Sequence, residues 1–183
     1  MKKRMMLMLA MVSVFSLIIF AGCTPAGSGG SSMGSFSAGD IALTVFNTTV
    51  RPNDTVDTLL VTLGDGYEYS EAISCTYAAN GVDGKEGMDK TFAYADACIV
   101  TYPLKAGGDY VNSIEVYDIG WQTPKGIAVG STLQDITAAY GSDYVDDGGM
   151  IIYYADKNNN TSAQLYFVME GDVVSIMGFV AGK

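Results

Sequence analysis

Residues 126–141 read GIAVGSTLQDITAAYG. In this stretch Leu133, Ile136 and Tyr140 stand at positions i, i+3 and i+7, which places them on one face of a helix. Gly141 follows at once, and glycine is typical of the position just after a helix C-terminus. The stretch therefore predicts a short amphipathic helix with a defined end.

The same pattern occurs 77 residues earlier in the chain. The matching positions are Val56, Leu59, Leu63 and Gly64. Tyr67 and Tyr144 keep the same offset, each three residues past its glycine. A fixed offset shared by several features indicates an internal repeat.

Polar residues mark the start of both predicted helices. Asp54 can cap the first helix. Ser131, followed three residues later by Gln134, indicates a capping box for the second.

Strand-like segments follow each predicted helix. They lie at about 72–78, 91–95, 97–104 and 111–118 in the first half, and at 149–155, 162–169 and 172–180 in the second. The tetrapeptide VNSI at 111–114 matches VVSI at 173–176. Short turn-forming connections make neighbouring strands antiparallel. We predict an α+β fold in which two tandem helix-plus-antiparallel-meander repeats, about 41–120 and 121–183, form one broad antiparallel sheet with the helices packed on one face.

The amino-terminal segment has the pattern of an export signal. Three cations at positions 2–4 precede an uncharged apolar run over 5–20, as in a signal peptide. The run ends in Phe20-Ala-Gly-Cys23, which resembles the lipobox of bacterial lipoproteins, with Phe20 in place of the usual Leu. An uncleaved membrane-spanning helix and an ordinary cleaved signal are the alternatives.

The lipobox resemblance implies a domain order and a location. It implies a signal peptide at 1–22, lipid attachment at Cys23, and a chain anchored to the cell membrane with its domain on the extracytoplasmic side. The Gly/Ser-rich segment 23–40 is expected to be a flexible tether, and 41–183 the folded domain.

Charge and composition exclude several functions. All 20 Asp and Glu follow residue 22, whereas three of the 10 Lys and Arg precede it, which leaves the mature chain at −13. Such a domain is repelled by nucleic acid, so no nucleic-acid partner is expected. The chain has no histidine, which excludes Ser-His-Asp and Cys-His mechanisms. We predict no catalytic residue and no cofactor.

The stretch 126–141 also resembles the opening of a repeat in the beta-lactamase inhibitor protein and in BamE-type envelope lipoproteins. The resemblance covers about residues 41–183, and the first half is longer, with an insertion around 80–89. In that family a concave sheet grips another protein without catalysis. The resemblance thus implies the tandem-repeat fold and a protein or peptide ligand.

Cysteines and an acidic loop are the remaining candidates for chemistry. Cys75 and Cys98 can form a disulfide outside the cytoplasm, or they are two separate buried residues. Asp156, Asn158 and Asn160 match the first ligands of a calcium loop, but Thr161 and Phe167 occupy the positions of its glycine and its last glutamate. We therefore predict a hairpin turn and no metal site.

Aromatic residues supply the predicted binding face. By alternation, the core is expected to receive the pairs Ile114 with Val116, Leu165 with Phe167, and Val174 with Ile176. The open face is expected to carry Tyr117, Tyr153, Tyr166 and Phe179. Tyrosine adds contact area at a low entropy cost, which suits binding, although such rings can also simply shield a sheet.

These patterns together predict a membrane-anchored lipoprotein that binds a protein or peptide and is not an enzyme. Two alternatives remain. One is an accessory or structural envelope lipoprotein. The other is a glycan hydrolase that uses paired carboxylates, which needs two acids in one cleft.

Overall fold

The structure, a computed structural model, describes residues 34–74, 87–104 and 107–182. These ranges contain two α-helices, α1 (Asp57–Leu63) and α2 (Leu133–Tyr140), and one short 3-10 helix, Ala38–Asp40. Their eleven strands are β1 (Leu43–Val45), β2 (Thr48–Val50), β3 (Glu68–Ile73), β4 (Met88–Ala93), β5 (Ala97–Pro103), β6 (Asp109–Val116), β7 (Trp121–Gln122), β8 (Val145–Asp147), β9 (Met150–Tyr154), β10 (Gln164–Glu170) and β11 (Val173–Val180).

The strands form two antiparallel sheets. The larger sheet has eight strands in the order β3-β4-β5-β6-β11-β10-β9-β8, and the smaller has three in the order β2-β1-β7. Neighbours within each half of the larger sheet are consecutive in the chain, so the predicted antiparallel pairing from short connections is confirmed.

The predicted α+β class, with two helices packed on one face of a single sheet, is wrong. The described chain is mostly β, with a second sheet and two α-helices of only 7 and 8 residues. The strands of the second sheet have three, three and two residues. Strands this short cannot display a period-two pattern, so the sequence does not reveal them.

The core contains side chains from both sheets and both helices. Ile99 and Ile114 contribute from the larger sheet, Trp121 from the smaller one, Leu59 from α1 and Ile136 from α2. Burial alternates along β5, as expected for a strand with one face on the core. We call the opposite side of the eight-stranded sheet the outer face.

One extra residue in each central strand changes which side chains reach the core. Asn112 is unpaired between Val111 and Ser113, and Ser175 is unpaired between Val174 and Ile176. Such a bulge reverses the alternation on either side of it. Ile114, Val116, Leu165 and Phe167 are buried as predicted, and so is Val174. Ile176 was predicted to face the core and does not, because the bulge at Ser175 separates it from Val174.

The helix starts differ from the prediction by one or two residues. Thr132 and Asp135 form the capping box of α2, in place of Ser131 and Gln134. The α1 N-cap is Val56, which has no side-chain cap. Asp54 instead accepts a hydrogen bond from the backbone N–H of Arg51 at 2.8 Å, because its side chain closes the preceding turn.

Residues 34–40, which were assigned to the tether, pack against the domain. The Gly34 N–H donates to the Ala138 carbonyl at 2.8 Å. The Phe36 ring lies 5.0 Å from the ring of Tyr153 and joins the partly buried shell of the core. Folded structure therefore begins before the predicted boundary at residue 41, and residues 23–33 lie outside the described ranges.

The two halves of the larger sheet have matching geometry. Thr55 pairs with Tyr110 just as Thr132 pairs with Val173, and each central strand carries one bulge. These pairs relate β6 to β11 by 63 residues, one more than the offset between VNSI and VVSI. Glu115 and Gly178 face each other where the halves meet.

Candidate binding face

The outer face has a central row of side chains that crosses seven strands. Strand register joins neighbouring members of this row pair by pair. From β4 to β8 the row is Ala93, Cys98, Glu115, Gly178, Tyr166, Ile152 and Val145. Glu115 is the one carboxylate within this seven-strand stretch, and at the edge strand β3 the row continues with a second carboxylate, Glu68, which pairs with Ala93.

Tyr166 lies across Gly178 and reaches that carboxylate. Its hydroxyl donates a hydrogen bond to Glu115 Oε2 at 3.0 Å. A Cβ atom added to Gly178 would lie 2.6 Å from the Tyr166 hydroxyl and 2.3 Å from the Ile114 carbonyl oxygen. The ring can take this position only because residue 178 has no side chain.

Tyr117 and Cys98 lie next to the same carboxylate. Partial burial, and then a hydrogen bond with Glu115, raise the pKa of Tyr117 to about 12. Burial and the negative charge of Glu115 also raise the pKa of Tyr166 and of the Cys98 thiol. All three groups therefore stay protonated at neutral pH. The arrangement is one carboxylate acceptor surrounded by hydrogen-bond donors.

Two of the four predicted face residues lie on the outer face. Tyr117 is 41% exposed there, and Tyr166 is 7% exposed beside Glu115. The prediction is wrong for Tyr153 and Phe179, which are buried in the core. Both pair directly with Leu165, and side chains of directly paired residues point to the same side of a sheet.

Tyr153 instead forms a hydrogen bond at the C-terminal end of α2. Its hydroxyl donates to the carbonyl of Gly141 at 2.6 Å, directly after α2. In the other half, the hydroxyl of Tyr94 donates to the carbonyl of Gly64 at 2.8 Å, directly after α1. Both halves therefore have a hydrogen bond from a tyrosine hydroxyl to the carbonyl of the glycine that follows the helix.

Glu115 and Gly178 are not among the site residues that the sequence patterns predict. A signal for Glu115 was present, because it stands between Ile114 and Val116, which were both correctly assigned to the core. Alternation alone puts Glu115 on the outer face. No local pattern indicates Gly178, since its role depends on a ring from the neighbouring strand.

Basic side chains in the described ranges lie away from the outer face. Three of the four form ion pairs with aspartates: Lys90 with Asp109 at 2.6 Å, Lys125 with Asp40 at 3.1 Å, and Lys157 with Asp143. The fourth, Arg51, follows β2 of the smaller sheet. Among the described residues, the charges on the outer face are therefore those of Glu115 and of acids on its margin, such as Glu68 and Asp147.

The cysteine predictions fall partly outside the described ranges. Cys98 is half-buried on β5 and is the one cysteine of the described residues, since Cys23 and Cys75 lie outside them. The Cys75–Cys98 disulfide and lipidation of Cys23 stay predictions. No described helix has the length and hydropathy needed to cross a membrane, and the predicted signal segment 1–22 also lies outside these ranges.

The acidic loop after β9 is a hairpin turn, as predicted. The Asp156 carboxylate accepts a hydrogen bond from the Asn158 N–H at 3.0 Å, and the Asn159 side chain accepts one from the Thr161 N–H at 3.0 Å. The loop joins β9 to β10. Across the described part of the chain, no three metal-ligating side chains of the His, Cys, Asp or Glu type come together.

Comparison with protein families, with characterised proteins and with solved structures gave no significant match. The resemblances to bacterial lipoproteins and to the beta-lactamase inhibitor protein therefore stay predictions from the sequence.

Proposed function

We propose that this protein is a lipid-anchored extracytoplasmic module that binds a protein or peptide on the outer face of its eight-stranded sheet. The observation that carries the proposal is the Glu115 carboxylate, held by Tyr166 and flanked by Tyr117 among apolar side chains. A partly desolvated carboxylate with aromatic neighbours is well suited to receive a cationic or hydrogen-bonding group from a partner.

Electrostatics favours a basic partner. The chain carries −10 overall, and the three described lysines are already paired with aspartates. A negative surface speeds association with a positive one and repels acidic competitors. We therefore expect the bound segment to contain Lys or Arg opposite Glu115.

The protonation states favour binding over proton transfer. A general acid or base works best with a pKa near the working pH. Burial instead moves the pKa values of Tyr117, Tyr166 and Cys98 upward, away from neutrality. The Tyr166 hydroxyl therefore acts as a fixed donor that orients the carboxylate.

The binding part of the proposal is tested by affinity capture from the native cell envelope. The full-length chain, solubilised in detergent, is compared with Glu115→Gln and with the double variant Tyr117→Ala, Tyr166→Phe. Phe46→Ala is the matched control, because Phe46 is a 75% exposed aromatic residue in the turn of the smaller sheet. We expect both outer-face changes to reduce specific partners at least tenfold and the control to retain them. Equal recovery by all four proteins contradicts the binding face.

The anchor is tested separately with a clickable fatty acid. The wild-type chain is expected to incorporate the label and to sediment with membranes, whereas Cys23→Ser is expected to lose the label. Labelling that survives in Cys23→Ser contradicts the anchor and leaves the result for the outer face unaffected.

A further inference from the structure

A second row of side chains crosses the outer face near the β3 edge of the larger sheet. Ala72 pairs with Asp89, and Tyr102 pairs with Tyr110. The register of β4 and β5, continued by one residue, places Asp89 opposite Tyr102. Directly paired side chains lie on the same side of a sheet, with their Cβ atoms about 4.5–5.5 Å apart. We call Asp89, Tyr102 and Tyr110 the aromatic corner.

Asp89 has a carboxylate oxygen that lacks a hydrogen-bond partner. Its Oδ1 atom is buried, and no donor of the described residues reaches it. The neighbouring Lys90 points to the core side of the strand, where its ammonium pairs with Asp109. A buried polar group without a partner costs free energy, and a charged one costs more. A donor from outside the chain would remove this cost.

Tyr102 does not supply that donor, because its hydroxyl is bound elsewhere. The hydroxyl donates to Asn53 Oδ1 at 2.7 Å. Partial burial, and then the neighbouring Tyr110, raise the pKa of Tyr102, so this proton stays in place at neutral pH. The rings of Tyr102 and Tyr110 lie 6.2 Å apart between centroids, with their planes inclined by 33°. Together they form one aromatic surface beside the Asp89 carboxylate.

The described strands of the second half have a different set of residues at the matching place. Val173 takes the position of Tyr110, since each forms the isolated bridge at the start of its strand. Val173 pairs with Glu170, just as Tyr110 pairs with Tyr102. The aromatic corner is therefore not a consequence of the repeated architecture. Glu170 also provides an exposed carboxylate with which Asp89 can be compared.

We propose that the aromatic corner binds an arginine side chain of a protein or peptide partner. The guanidinium group is planar, permanently charged and rich in N–H donors. One N–H would donate to Asp89 Oδ1 while the guanidinium plane stacks on the tyrosine rings. A lysine ammonium can pair with the carboxylate but has no plane to stack, so the site prefers arginine.

This site goes beyond the proposed function and does not depend on it. Tyr102 lies four residues from Cys98 along β5, which puts the aromatic corner about 13 Å from the central row that contains Glu115. The two carboxylates can therefore be tested one at a time.

The test follows NMR shifts of the isotope-labelled full-length chain in detergent during titration with N-acetylarginine amide. We expect saturable shifts of the backbone amides of Asp89 and Tyr102. Asp89→Asn is expected to weaken the Kd obtained from these shifts at least tenfold, because it removes the charge and keeps the shape. Glu170→Gln is the matched control, since it removes an exposed carboxylate from the corresponding place in the second half. We expect it to change the Kd less than twofold.

Two further arms test the rings and the separation from the central row. N-acetyllysine amide is expected to bind at least threefold more weakly than the arginine probe, and Tyr110→Leu is expected to remove most of this preference. Glu115→Gln is expected to leave the shifts at Asp89 unchanged. The proposal is overturned if the arginine probe gives no saturable shift at Asp89, if Asp89→Asn and Glu170→Gln bind it equally, or if the lysine probe binds as tightly.

Discussion

Gly178 occupies the point on the outer face where three groups meet. It lies opposite Glu115 on the neighbouring strand, beneath the hydroxyl of Tyr166 and close to the Ile114 carbonyl. Glycine in a strand usually weakens it. Here the missing side chain leaves the space through which Tyr166 reaches the carboxylate, so one residue determines the geometry of the face.

Replacing this glycine is expected to be destabilising. In Gly178→Ala the new Cβ atom would contact the Ile114 backbone as well as Tyr166, so side-chain movement alone cannot relieve the clash. Overpacking of this kind costs about 1–3 kcal/mol. The free energy of unfolding in urea measures the effect. Gly66→Ala is the control, because nothing lies within 4 Å of its added Cβ. Equal stability of the two variants would contradict this account.

Two of the four proposed face residues were predictable from sequence, and two were not. Strand β9 reads Met-Ile-Ile-Tyr-Tyr, which is apolar on both sides. When both faces of a strand are apolar, the alternation of side chains does not indicate which face points to the core. A register error of one residue then assigns every side chain to the wrong face. Tyr153 was for this reason placed on the wrong side.

Both α-helices end in the same way. Each is followed by a glycine at positive φ, and a tyrosine from a neighbouring strand donates to that glycine's carbonyl. Helix ends leave carbonyl groups without partners inside the helix. Each tyrosine hydroxyl supplies a partner for one carbonyl at the helix end, that of the C-cap glycine, and attaches this end to the larger sheet.

The observed capping box of α2 differs from the predicted one and can be tested. Thr132 accepts a hydrogen bond from the Asp135 N–H, and the Asp135 carboxylate accepts one from the Thr132 N–H at 2.8 Å. Loss of an N-cap side chain costs about 0.5–2 kcal/mol. Thermal unfolding should therefore show Thr132→Ala as clearly less stable than the wild type. Gln134→Ala should be close to neutral, and a larger loss in that variant would restore the predicted Ser131–Gln134 box.

The sequence predicted the turns and the pairing of consecutive strands well. The loop after β9 is held by hydrogen bonds between close neighbours such as Asp156 and Asn158, so its residues alone specify it. The bulges at Asn112 and Ser175 were missed, because they depend on which residues of the adjacent strand find partners.

Buried tyrosines make the stability of the whole molecule depend on pH in the alkaline range. Burial raises the pKa of Tyr94 to about 12 and that of Tyr140 to about 12, from an ordinary value of 10. Burial also raises the pKa of Tyr153 and Tyr166. The folded state thus holds these protons more tightly than the unfolded chain does. Their contribution is complete below pH 10 and is lost as the pH rises from 10 towards 12.

We therefore expect the Tm to fall steeply between pH 10 and pH 12, as measured by thermal unfolding at a series of pH values. Tyr153→Phe removes a titrating group and should make this fall shallower, while lowering stability at pH 8 by about 0.5–1.5 kcal/mol through the lost hydrogen bond. A Tm that falls between pH 10 and pH 12 as steeply in Tyr153→Phe as in the wild type would contradict the contribution of the buried Tyr153 hydroxyl.

The sequence by itself determined the features that act over a few residues. These are the two helices with their closing glycines, the order of most strands, the hairpin turns, and the acidic charge. The tertiary structure decided the second sheet, the pairing of β6 with β11, the bulges, and which tyrosines point inward. The physical reason is the sequence separation of the interacting residues. Helix caps and turns are stabilised by residues close in sequence, whereas strand register depends on partner strands tens of residues away.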